Sequence, residues 1–104
     1  GSLPVLATPV LIAWMEAAAC GCCAGLMEEG TTSVGTEMNM RHTAASPVGM
    51  KVTVTAELTA VEGSILSFKV YAEDTAGAIG EGSHTRAIIR AERFMEKANA
   101  KLAQ

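Results

Sequence analysis

The chain has 104 residues, 49% of them hydrophobic, 18% charged and 4% aromatic, with a formal net charge of −3 at neutral pH. That length supports one domain, and that composition excludes a disordered chain; the core must be built from Val, Ile, Leu, Met and Ala. Lys and Arg are scattered singly, which argues against a nucleic-acid partner, since no basic stripe is present to neutralise a run of phosphates.

The opening "GS" is read as an expression scar and set aside, leaving a single domain over residues 3–104. Thr8 followed by Pro9 is a helix-start signal, a hydroxyl able to cap free N–H groups and then a ring whose fixed φ suits the first turn. The helix is expected from about Pro9 to Gly25, ending by the "EEG" at 28–30. From Val10 to Met27 it is apolar nearly all round, so it is expected to be wrapped by other structure. This run approaches the length of a membrane span. It contains Glu16 and two glycines and lacks the flanks of a signal peptide, so a soluble cytoplasmic protein with no membrane partner is expected. Cys20, Cys22 and Cys23 point in different directions on a helix and cannot converge on one metal ion; they are read as small buried residues in a reducing compartment.

After Gly30 the period changes to alternation. In "TTSVGTEMNMRHTA", Val34, Thr36, Met38, Met40 and His42 fall on one face and Gly35, Glu37, Asn39 and Arg41 on the other, which predicts a strand with His42 on the apolar side. "SPVG" at 46–49 is a turn. "MKVTVTAELTA" points Met50, Val52, Val54, Ala56 and Leu58 inward. "VEGS" closes a hairpin into a strand whose inner face is Leu66, Phe68, Val70 and Ala72. "DTAGAIGEGS" leads into a last strand ending near Arg90, in which Gly80 and Gly82 suggest a bulge or a close backbone approach. Phe94, Met95, Ala98 and Leu102 then recur at helical spacing. One long helix, four strands in hairpin succession and a short terminal helix make an α+β two-layer domain.

Three polar residues stand out against this apolar frame. An ionised carboxylate in an apolar interior costs several kcal/mol unless it is paired or opens on a pocket, and Glu16 occupies a helix where cheaper residues abound. With His42 it forms a candidate acid/base pair. Thr8 lies about 12 Å along the helix axis from Glu16, too far for direct contact in one straight helix. A two-fold dimer could bring Glu16 of one chain to groups of another.

"VLATPVLIAWMEAAAC", "TSVGTEMNMRHTAASPVGMKVTVTAELTAVEG" and "AGAIGEGSHTRAII" together resemble the hotdog-fold thioesterases of the fluoroacetyl-CoA thioesterase type, over nearly the whole chain from Val5 to about Glu96. The resemblance implies a hotdog fold, a homodimer with active sites at its interface that could assemble further into a tetramer, and an acyl-CoA substrate. It places the functional threonine, glutamate and histidine on Thr8, Glu16 and His42, and a substrate-pocket glycine on Gly35. Relatives carry an additional first strand and a covering loop ahead of the helix. The phenylalanines associated with fluoroacetyl selectivity lie in that segment, so fluoroacetyl specificity is not implied, and the short start fits a truncated or a minimal member.

A thioesterase needs a nucleophile or activated water and donors for the oxyanion. Glu16 is assigned to attack or water activation, His42 to proton transfer, and Thr8 to positioning. Arg41, Lys51, Arg86 and Arg90 are candidates for the CoA phosphates at a pocket mouth, Arg86 being taken as substrate-binding with Gly35. No metal or cofactor is expected, CoA being part of the substrate. The alternative is a hotdog module that binds acyl-CoA or another small ligand without turnover; a hydratase ranks last, since the Asp-and-His signature expected for one is missing.

Overall fold

The computed structural model describes residues 2–104. Helix α1 spans Thr8–Cys23 and continues as a 3-10 turn over Ala24–Leu26. Strands follow at Thr31–His42 (β1), Val52–Glu62 (β2), Ile65–Asp74 (β3) and Gly77–Arg90 (β4), and helix α2 covers Ala91–Ala100. All pairings are antiparallel, in the order β1-β4-β3-β2, with α1 against one face.

The expected hairpin succession holds for β2, β3 and β4 but not for β1. Residues 43–51 carry the chain from one edge of the sheet to the other, so β1 pairs with β4 and its second edge is unpaired. That crossing is pinned to the segment before α1 by the Val5–Pro47 bridge and the Leu6 N–H donating to Ser46 O at 2.9 Å. It is tied to the β3–β4 turn by the buried Ser46 hydroxyl, which donates to Asp74 Oδ2 at 2.8 Å.

The sheet's inner face carries Leu66, Phe68, Val70 and Ala72 of β3, all buried as the alternation predicts, flanked by the half-buried Val52, Val54, Ala56 and Leu58 of β2. Leu11, Met15, Ala19 and Cys23 recur every fourth residue on α1 and complete the core. Gly80 lets the helix settle on β4, because a Cβ there would stand 3.2 Å from Leu11 Cδ2. At Gly82 a Cβ would stand 2.6 Å from Met40 Cα, a contact with backbone that no rotamer change relieves.

Two expectations are revised. Four strands cover only one stripe of a helix, so α1 is not wrapped: Val10 and Trp14 are 42% and 43% exposed on its far side. By length and composition Thr8–Leu26 could cross a membrane, yet its buried stripe is part of the protein core. Of the cysteines, only Cys23 is buried; Cys20 and Cys22 lie exposed on the uncovered side.

Candidate active site

A β-bulge decides which residues of β1 face the helix. The pairing with β4 shifts between Gly35 and Glu37, leaving Thr36 as the extra residue. Met38, Met40 and His42 face inward as expected. Before the bulge the parity is reversed, so Ser33 and Gly35 face inward and Val34 and Thr36 outward. Plain alternation assigns these four to the wrong faces because one inserted residue flips every side chain before it.

At one end of the groove between α1 and β1, Thr8 meets His42. The N-cap position falls on Ala7, and no side chain caps the helix. Thr8, the first helical residue, has its hydroxyl 2.8 Å from His42 Nδ1 instead, so the expected capping role is replaced by a contact with the histidine. The other ring nitrogen of His42, Nε2, is buried with no hydrogen-bond partner among the described residues. An unpaired buried polar atom costs about 1–3 kcal/mol unless something from outside meets it. An open cleft lined by Val5, Leu6, Thr8, Pro9, His42 and Thr43 adjoins the pair.

At the other end Glu16, half-buried on α1, lies over Gly35. A Cβ on Gly35 would stand 2.8 Å from Glu16 Oε1, 3.2 Å from His84 Cε1 and 3.3 Å from Arg86 Nη1. The glycine therefore keeps open a small space walled by a carboxylate and a guanidinium. Arg86, expected at an exposed pocket mouth, is 7% exposed on the inner face. Its Nε–H donates to Ser33 Oγ at 2.8 Å, Nη2–H to Ser33 O at 3.0 Å, and Nη1–H to His84 Nε2 at 3.2 Å. It is correspondingly removed from any phosphate-binding rim, whereas Arg41, Lys51 and Arg90 are exposed. Ser33 and His84 do not stand out as site residues in the sequence. The signal was present in β4, where His84 and Arg86 share the parity of Gly80, Gly82 and Ile88, the face that packs under α1.

Each end is well built, yet one chain does not join them. Gly35 and His42 sit seven residues apart on β1, about 20 Å at strand spacing with one residue bulged out. Among the described residues no group of three or more His, Cys, Asp or Glu side chains could hold a metal ion.

A helix laid on one face of a long antiparallel sheet is the arrangement of the hotdog-fold thioesterases. Residues 1–92 match the family model described as fluoroacetyl-CoA-specific thioesterase. The fluoroacetyl-CoA thioesterase of Streptantibioticus cattleyicolor is 46% identical over 100 residues, which cover 96% of this chain and 69% of that protein. A variant of the fluoroacetyl-CoA-specific thioesterase FlK, solved in complex with fluoroacetate and CoA, superposes with a TM-score of 0.93 at 44% identity, covering 96% of this chain and 78% of that one. A thioesterase superfamily member from Thermus thermophilus gives a TM-score of 0.88 at 28% identity, over 98% of this chain and 78% of that one. The chain belongs to the fluoroacetyl-CoA-specific thioesterase family.

Proposed function

We propose that the protein is a cytoplasmic acyl-CoA thioester hydrolase for small acyl groups, working as a homodimer in which each active site combines Glu16 of one copy with Thr8 and His42 of the other. Acyl-CoA as substrate follows from the family. The observation that carries the shared site is the separation of its two halves within one chain.

Three further features support the dimer. The accessible surface is 6908 Å², against roughly 5,500 Å² for a compact monomer of 10.8 kDa. The excess exceeds the roughly 800 Å² that each partner loses in a standard interface. The unpaired edge of the twelve-residue β1 is a template for another strand. Antiparallel pairing of two β1 strands about a two-fold axis at Asn39, with Thr36 bulged out of register, would set Gly35 of one copy opposite His42 of the other. Directly opposed residues share a face, so Glu16 would then approach the Thr8–His42 pair and the buried Nε2.

In the hydrolysis, Glu16 either takes a proton from the attacking water, or attacks the thioester carbonyl itself to form a mixed anhydride that water then hydrolyses; either way the C–S bond breaks, CoA leaves as the thiol and the free acid is released. The contact with Thr8 orients the His42 ring, whose Nε2 is left to exchange a proton with the nucleophile or the leaving sulfur. Arg86 and backbone N–H groups near Gly35 or the start of α1 supply positive potential for the oxyanion.

Release of the CoA thiol from acetyl-CoA and fluoroacetyl-CoA tests the assignment. Glu16→Gln is expected to lower kcat by about 10³-fold while the fold is retained. Unchanged turnover in this variant would refute the role of Glu16. Thermal stabilisation by acyl-CoA with no turnover in the unmodified protein would show a binding module instead.

A further inference from the structure

His84 is 1% exposed, its ring lies 6.1 Å from that of Phe68, its register partner on β3, and nothing in the proposed hydrolysis uses it. Its two nitrogens have defined neighbours. Arg86 Nη1 is 3.2 Å from Nε2, and a guanidinium has donors only, so Nε2 must accept. Nδ1 therefore carries the single proton, which it donates to Glu37 O at 2.7 Å. The ring is a neutral imidazole of one tautomer, clamped between a main-chain carbonyl and a cation.

We infer that His84 is a positioning residue: as the Nδ1–H tautomer it aims the Arg86 guanidinium into the space shared by Gly35 and Glu16, and it sets the protonation state in which that end of the site is assembled. All three hydrogen-bond acceptors of Arg86 are uncharged, namely Ser33 Oγ, Ser33 O and His84 Nε2. Ser33 holds the Nε and Nη2 side of the fork, and His84 alone fixes Nη1, the atom that borders the Gly35 space. Protonation of the ring would turn Nε2 from acceptor to donor, facing another donor, and Nη1 would have to leave. The charged groups around the ring are Arg86 on its own strand and Glu16 across from it on α1. Strand β1 contributes the carbonyl of Glu37 and β3 the apolar Phe68. The inference rests on Glu16 being the group whose chemistry Arg86 assists.

The test compares unmodified protein, Glu16→Gln, His84→Leu and His84→Gln in hydrolysis of acetyl-CoA across pH, with the ¹⁵N shifts of His84 recorded on unmodified protein at neutral pH. The shifts are expected to show a protonated Nδ1 and a bare Nε2. His84→Leu, which removes the acceptor, should lose about 10- to 100-fold in kcat with KM little changed. His84→Gln, which restores an acceptor and cannot take a proton, should recover most of that loss and show a shallower acid limb in kcat. A protonated Nε2 would overturn the inference, as would a folded His84→Leu variant with unchanged kcat. Turnover persisting in Glu16→Gln would instead strike the reading of Glu16 on which the inference rests.

Discussion

The two ends of the α1–β1 groove are built on opposite plans. At the Thr8–His42 end the groups are few and the cleft beside them is open; one hydrogen bond orients the ring, and the other nitrogen is buried without a partner among the described residues. At the Glu16–Gly35 end a buried cation is held by three neutral acceptors, and a glycine keeps space beside the carboxylate. One end has acid/base groups without preorganised positive charge, and the other has charge and a carboxylate without a histidine free to move protons. Each end lacks what the other holds, which is what a site divided between two copies requires.

After the loss of the Glu16 carboxylate itself, the largest change should come from filling the space at Gly35. Gly35→Ala places a methyl against Glu16, His84 and Arg86 at 2.8 to 3.3 Å. The carboxylate is the flexible member and would swing away, so kcat should fall about 100-fold while thermal unfolding shifts little. A large loss of stability with kcat retained would show that Gly35 serves folding alone. At the opposite end, Thr8→Val removes the partner of His42 Nδ1 and leaves the fold intact. The loss of one hydrogen bond worth about 1 kcal/mol should cost roughly 5- to 10-fold in kcat, with the imidazole shifts in NMR reporting a released ring.

The smallest effect separates the two ends by pH. The hydroxyl of Ser46, and then the N–H groups of Ala76 and Gly77, hold the Asp74 carboxyl below its ordinary value of 3.8, and the Ser46 bond ties down the crossing segment beside His42. A carboxyl with a lowered folded pKa contributes stability above its unfolded value, and that contribution is lost as pH falls through the folded one. Acid unfolding monitored between pH 5 and about 2 should therefore show a component that Asp74→Asn abolishes, with activity at neutral pH unaltered.

Much of this molecule is legible in its sequence. The alternation in β2 and β3 marks their inner faces residue by residue, and the glycines of β4 announce the close approach of α1 and β1. The crossing of residues 43–51 to the far edge is not legible, because a nine-residue link between two alternating strands fits a hairpin equally well. The partial exposure of α1 is hidden for a related reason: apolarity all round does not say whether sheet or a second copy covers the far side. Thr8, Glu16 and His42 emerge as anomalies in an apolar frame. The Ser33–Arg86–His84 network does not, because a one-residue bulge at Thr36 reverses the facing of Ser33 and Gly35. Arg86 and His84 in turn look like solvent-facing residues until the parity of β4 is followed through its glycines.

A site shared between copies is tested most directly by mixing two inactive variants. Glu16→Gln and His42→Ala, each inactive alone, are co-refolded in equal amounts and assayed for thioester hydrolysis. If each site takes Glu16 from one copy and His42 from the other, half the dimers are mixed and each carries one intact site, so activity should return to about a quarter of that of the unmodified protein. Failure of the mixture to exceed either variant alone, with mixed dimers shown to have formed, would contradict the shared site.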